Sequence, residues 1–294
     1  MIRLLCAGIC NTDLELQRGY YQFSGIPGHE FVGEVVAADN SQLAGKRVVG
    51  EINLACRRCA WCRKGLGRHC PRRTVLGIVK HPGAFSEFLT LPEANLHVVP
   101  PSIPNEQAVF VEPLAAACEI MDQTRIPHRA IVAVLGDGKL GLLVTQVLRA
   151  RGFTVHQFGH HREKLRISER AGADTILVRD KLPAAEYDWV VEATGSDKGL
   201  REAITMTKPR GTVIMKSTVH GTVSLNTAPV VVNEITMIGS RCGRFEPALA
   251  LLSKNKVDVS DMISDRLPLS EGSSAFGRAA RSGVIKVLLI PPGI

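Results

Sequence analysis

The sequence predicts an α/β protein in which a doubly wound parallel sheet is inserted into a mostly β domain. Three observations predict it. A strand, a glycine turn and a long helix open a βαβ unit near Ile131. Strands and helices alternate from there to about Ile238. The residues on either side carry short strands broken by glycine, proline and cysteine.

IVAVL at 131–135 is a buried-type strand, GDGKLG at 136–141 forms the turn, a helical stretch runs through Arg151, and TVHQF at 154–158 is the second strand. A helix near Arg162 to Ala171 follows. Further strands fall near Asp174 to Val178, Asp188 to Glu192, Gly211 to Met215 and Ile235 to Ile238. Strands joined through helices pair in parallel, which gives the doubly wound sheet.

Residues 1–124 read as a separate, mostly β domain, with strands such as FVGEVVA and RVVGEIN, and VVPPSIP at 98–104 reads as a connection. After about Gly243 come one helical segment, PALALLSK, and a final strand, VIKVLLI. These are too few elements for a third core, so 244–294 is assigned back to the first domain and 125–243 to the parallel sheet.

A chain of 294 residues reaches the length at which one core stops growing, roughly 250 to 300 residues. With 45% hydrophobic and 22% charged residues it is neither disordered nor fibrous. No apolar run reaches the roughly 18 residues of a membrane span. The opening MIRLLCAGICNTD turns polar too early for a secretory signal, so a cytoplasmic protein without a membrane partner is expected. The net charge of +8 favours an anionic ligand, either nucleic acid or a phosphorylated cofactor, with surface solvation as the plain alternative.

Half of the eight cysteines, Cys56, Cys59, Cys62 and Cys70, form C-x2-C-x2-C-x7-C. This spacing lets one lobe wrap four thiolates around Zn²⁺. A closed four-sulfur shell leaves no position for substrate, so the role is structural, with a folding contribution on the order of 10 kcal/mol. Cys6, Cys118 and Cys242 read as small hydrophobes in a strand core, a helix interior and a strand end.

Gly136, Gly138 and Gly141, with Lys139 and Leu140 between the last two, fit G-x-G-x-x-G between a strand and a helix. There the glycines admit a dinucleotide pyrophosphate at the helix N-terminus. At the end of the second strand the chain reads Gly159-His160-His161-Arg162, with no carboxylate for a ribose 2′-hydroxyl. Arg162 with the two histidines suits a 2′-phosphate, hence NADP rather than NAD, against the plainer reading of a solvated basic turn.

In the first domain Gly8-Ile9-Cys10-Asn11-Thr12-Asp13 and Gly28-His29-Glu30 each set a zinc-ligand type beside a carboxylate. Together with Glu112 in FVEPLAAACE they resemble the zinc-dependent medium-chain dehydrogenase family of alcohol, sorbitol and threonine dehydrogenases, over nearly the whole chain. The resemblance implies a Rossmann domain splitting a GroES-like catalytic domain, with the active site in the cleft between them. It also implies two zinc ions per chain. Cys10 and His29 correspond to catalytic-zinc ligands, and Glu30 and Glu112 are the remaining candidates.

By the same resemblance Thr12 relays the proton of an alcohol, Asp13 orients the zinc histidine, and Lys286 is a basic contact to the pyrophosphate. Glu15 stands where many members have a histidine that passes the proton to solvent. Members also carry about one to two dozen more residues before the segment matching Met1, which implies a missing strand. The implied reaction is hydride transfer between an alcohol, or its carbonyl product, and NAD(P) in a homodimer or homotetramer.

Two rivals come from other classes. One is a pseudo-enzyme that keeps structural zinc and binds dinucleotide without turnover. The other is a zinc-module nucleic-acid binder built on Trp61 and the cluster Arg57, Arg58, Arg63, Lys64 and Arg68; it lacks the aromatic platform of an RNA-binding surface. Tyr20, Tyr21 and the loops around them carry no readable code for the substrate.

Overall fold

A computed structural model of the chain describes residues 1–218 and 222–293. The chain forms two compact units. The first comprises Met1–Glu112, Arg244–Lys254 and Val259–Ile294, and the second Pro113–Gly243 with Asn255–Asp258. The division falls within the helix Val111–Gln123, whereas the sequence pattern places it at residue 124, that helix's end. Most of the helix is bound into the second unit: Lys216 Nζ donates to the Ala116 carbonyl at 2.6 Å.

The first unit contributes β1 (Ile2–Gly8), β2 (Glu30–Val35), β3 (Arg47–Gly50), β4 (Asn53–Leu54), β5 (Thr74–Val75), β6 (Phe88–Leu89) and β7 (Leu96–Val98). The second holds β8 (Ile131–Leu135), β9 (Thr154–Gly159), β10 (Asp174–Leu177), β11 (Tyr187–Glu192), β12 (Thr207–Met215) and β13 (Thr236–Gly239). The chain then returns to the first unit for β14 (Ile263–Pro268) and β15 (Lys286–Ile290).

In the first unit the order is β14-β15-β1-β2-β3-β7, with β6 also paired to β1. Strand β1 is the hub. Its Gly8 sits opposite Glu30 of β2 on one side and Leu288 of β15 on the other, both antiparallel. The last strand of the chain therefore lies beside the first, and buried residues from opposite ends of the sequence, such as Ile2, Leu4 and Leu289, belong to one sheet.

RVVGEIN, expected as one strand, divides into β3 and β4, which belong to different sheets. Asn95 causes the corner. Its side-chain amide donates to the carbonyls of Glu51 and Asn53 at 2.8 and 3.1 Å, while its own carbonyl accepts from Glu51 N–H at 2.8 Å.

The C-terminal return holds two elements that the sequence pattern does not announce, β14 and the helix Gly272–Ala279. Strand β14, ISDRLP, ends the sheet and among the described residues bonds only to β15, an edge position where polar residues and a terminal proline are tolerated. The helix opens Gly-Ser-Ser, poor helix formers, and is anchored by the buried Ala275.

The second unit is a six-stranded, wholly parallel sheet in the order β10-β9-β8-β11-β12-β13. The order reverses at β8, so a crevice opens beyond the C-terminal ends of β8 and β11. One face is packed by Ala133, Val190, Val213, Ala203 and Ile204, small and β-branched residues of the strands and of the helix Asp197–Met206.

The helix after β8 approaches the turn so closely that a Cβ on Gly141 would lie 2.2 Å from the Gly136 carbonyl oxygen. Gly141→Ala should therefore destabilise the protein by about 1–3 kcal/mol, the usual cost of overpacking. A lowered urea midpoint at unchanged slope is the expected measurement.

Candidate active site and metal centres

Cys10 caps the helix Asn11–Gln17, just past the end of β1. Asp13, in the first turn of that helix, is fully buried, and its carboxylate gathers two loops. One oxygen accepts the Cys10 backbone N–H at 2.8 Å. The other accepts Gly28 N–H at 3.2 Å and lies 3.2 Å from His29 Nδ1, off the line of a well-aligned hydrogen bond. Gly28 is at φ +100 with its missing Cβ 2.4 Å from the Phe85 ring, so no other residue fits where the loop enters β2.

This arrangement brings Cys10, His29 and Glu30 together, with ligand atoms all within 4.8 Å of one another. Thiolate, imidazole and carboxylate are the donor set of a zinc site. Glu112, the other sequence candidate, stands outside that group in the first turn of the helix Val111–Gln123.

Lys286, expected by the resemblance to contact the pyrophosphate, also has partners within the first unit. It is 1% exposed and forms an ion pair with Glu30, its ammonium 5.5 Å above the Phe110 ring. Sequence reasoning missed Gly8 as well, whose Cβ would lie 3.1 Å from both Glu30 Oε2 and Lys286 Cδ and 2.6 Å from Val109. The glycine leaves room for the pair.

The electrostatics favour a bound cation. Burial opposes charge on His29 and on Lys286, yet Asp13 and Cys10 for the first, and Glu30 and Cys10 for the second, hold both pKa values above their ordinary range. A zinc-bound His29 would be neutral and a zinc-bound Cys10 a thiolate, so Cys10, Asp13 and Glu30 would then face the Lys286 ammonium alone, an imbalance that a dication cancels. Zinc therefore fits the residues present.

Thr12 Oγ1 lies 3.8 Å from Cys10 Sγ, beside the cluster. Glu15, one turn along the helix, pairs with Arg18 at 2.7 Å.

The four lobe cysteines converge, with Sγ separations of 3.4 Å for Cys59–Cys62, 3.7 Å for Cys59–Cys70 and 3.9 Å for Cys56–Cys62. Zn–S bonds of about 2.3 Å in a tetrahedron put the sulfurs about 3.8 Å apart. The separations match zinc and are far too long for disulfides. The Arg58 N–H, with that of Cys59, draws the Cys56 thiol down to about 6. Burial, then the other three sulfurs, pushes Cys62 up to about 12. The last thiolate needs a cation.

In the second unit Gly136 has φ +120, and its Cβ would lie 2.5 Å from the Ala193 carbonyl oxygen. A Cβ on Gly138 would meet nothing within 4 Å, so the backbone at the head of the helix Lys139–Ala150, which begins with Lys139 and Leu140, is open to a ligand. A tight turn followed by an open backbone at a twelve-residue helix is the cradle a pyrophosphate needs. Gly159 ends β9, and His160, His161 and Arg162 lead into the helix Arg162–Arg170. Asp137, the residue within the glycine turn, has no role legible in the sequence. Its Oδ2 accepts the backbone N–H groups of His160 at 2.7 Å and His161 at 2.6 Å, and lies 3.0 Å from His161 Nδ1.

Comparison with known proteins identifies the family of the two units. Residues 1–101 match the model of the alcohol dehydrogenase GroES-like domain, and residues 140–254 that of zinc-binding dehydrogenases. The chain is 32% identical to D-altritol 5-dehydrogenase of Agrobacterium fabrum, covering 92% of this chain and 85% of the relative. It is 27% identical to sorbitol dehydrogenase of Halalkalibacterium halodurans, covering 99% and 91%. A Sinorhizobium meliloti protein described as a zinc-binding dehydrogenase and bound to NADP superposes with a TM-score of 0.89 at 27% identity, over 99% of this chain and 91% of that one.

Lys286→Met leaves Glu30 buried without its partner and should cost about 3–5 kcal/mol in urea unfolding, most of it recovered when Glu30→Gln is added. Cys59→Ser should remove one zinc per chain and lower the melting temperature, because a hydroxyl cannot replace the fourth thiolate. An unchanged metal count would refute the structural site.

Proposed function

Because the chain belongs to the zinc-dependent medium-chain dehydrogenase family, we propose that it oxidises an alcohol reversibly with a nicotinamide dinucleotide, and that its substrates are polyols. The observation that carries the reading is the Cys10, His29 and Glu30 group braced by the buried Asp13. The polyol class is supported by the sorbitol and altritol dehydrogenases among its relatives.

Cys10, His29 and Glu30 are the residues that would hold the catalytic zinc, and Cys56, Cys59, Cys62 and Cys70 the structural one. A bound zinc supplies a Lewis acid that lowers the pKa of an alcohol, and the nicotinamide supplies the hydride acceptor. Thr12, beside Cys10, accepts the alcohol proton through its hydroxyl and passes it outward towards Glu15. Asp13, 3.2 Å from His29 Nδ1, would fix the orientation of the imidazole beside the other ligands. Lys286 holds Glu30 in place and offsets part of the buried negative charge.

The glycine cradle accepts either dinucleotide. The basic turn His160–Arg162 supports NADP(H), and the carboxylate of Asp137 against that turn opposes a 2′-phosphate.

Assays of sorbitol, altritol, arabitol and simple alcohols with both oxidised cofactors test the reading on protein of measured zinc content. Turnover with two zincs per chain is expected, and silence across the panel would favour the pseudo-enzyme. Cys10→Ala or His29→Ala should lose one zinc and all turnover while leaving dinucleotide titrations unchanged. Thr12→Val should lower kcat by roughly 10²–10⁴-fold with zinc content intact.

A further inference from the structure

In a Rossmann unit the end of the second strand faces the adenosine ribose, and its charge decides between a hydroxyl and a phosphate at the 2′ position. By sequence alone that place is held by Gly159, with no carboxylate, followed by a basic turn. The structure fills it from another segment. A Cβ built on Gly159 would lie 2.6 Å from Asp137 Cβ and Oδ2 and 2.8 Å from Cγ. The carboxylate of Asp137 therefore occupies the space into which a side chain at 159 would project.

Three features make this an obstacle to a phosphate. The backbone N–H groups of His160 and His161, the donors that a phosphate at the helix start would use, already donate to Asp137 at 2.7 and 2.6 Å. The His161 ring is turned to the same carboxylate, with Nδ1 3.0 Å from Oδ2. The Asp137 side chain is only 10% exposed, so its charge is poorly screened by water. Arg162 is the remaining cation of the turn and is exposed to solvent.

We propose that Asp137 selects the cofactor: its carboxylate stands in for the one absent at position 159, excludes a 2′-phosphate, and makes the chain select NAD(H) over NADP(H). The proposal rests on the dinucleotide reading above and reverses the preference expected from the basic turn. It also changes which substitution is informative. Gly159→Asp would drive a new Cβ into Asp137 and report on packing, whereas removing the Asp137 charge frees two N–H groups and the space beside Gly159.

The test is equilibrium titration of NADH and NADPH, followed by cofactor fluorescence, into the unmodified protein, Asp137→Ser and Asp137→Asn. The unmodified protein should bind NADH at least about tenfold more tightly, and both variants should shift the NADPH-to-NADH affinity ratio upward by about tenfold or more. Asp137→Asn retains the shape of the side chain and one acceptor oxygen, so it carries the test should the serine variant unfold. NADPH binding as tight as NADH to the unmodified protein, or an unchanged ratio in the folded variants, overturns the proposal and leaves the dinucleotide reading standing. Failure of the unmodified protein to bind either cofactor overturns both.

Discussion

The fully buried carboxylate of Asp13 is the constraint on which the first unit's chemistry depends. A buried charge without partners is prohibitively costly, so the fold must supply donors, and the donors it supplies are the backbone N–H groups of Cys10 and of Gly28, with the His29 ring 3.2 Å away. Satisfying one anion thus joins the loop after β1 to the loop before β2. Cys10 and His29, the proposed zinc ligands, thus come from separate loops to within reach of one ion. Glu30 opens β2, and Lys286 reaches it from β15 because Gly8 leaves the gap between them. The negative excess that remains is what a divalent cation would neutralise.

The second unit repeats the device with a different residue. Asp137 gathers the backbone N–H groups of His160 and His161 and so ties the glycine turn after β8 to the end of β9. Backbone donors at a helix start hold a fixed number of hydrogen bonds, and an internal carboxylate that uses them competes with any anionic ligand. Under the proposed role of Asp137, the stability of the turn and its selectivity would be two consequences of one contact.

Features that are local along the chain are legible from the residues alone. The C-x2-C-x2-C-x7-C spacing, the glycine turn and the alternation after Ile131 each lie within a short window, and the strands and helix expected around them occur within a few residues of their places. Features that depend on long-range pairing are not. Lys286 looks like any basic residue at the head of a strand until β15 is placed beside β1 and its ammonium is found against Glu30. Asp137 looks like the variable residue of a glycine motif until β9 is placed beside β8. Strand β14 has no apolar alternation to announce it, because as an edge strand it needs little burial. The contact between Gly8 and the Glu30–Lys286 pair has one faint signal, a glycine ending a largely apolar strand.

The excess positive charge of the chain acquires a structural reading in the cysteine lobe. A zinc ion bound by four thiolates carries a net charge of about −2, and basic side chains around it lower the cost of that charge. Several of them also brace the lobe's own backbone: Arg63 donates to the Arg58 carbonyl at 2.9 Å and Arg73 to the Cys70 carbonyl at 3.1 Å, while Arg57 reaches the Asn95 side chain at 3.2 Å. Arginine suits this work because its planar fork bonds a carbonyl without surrendering its charge. Two members of the basic cluster that in sequence resembles a surface for phosphates, Arg57 and Arg63, thus also make contacts within the protein. A four-sulfur zinc site in this lobe would give those charges a structural role of their own.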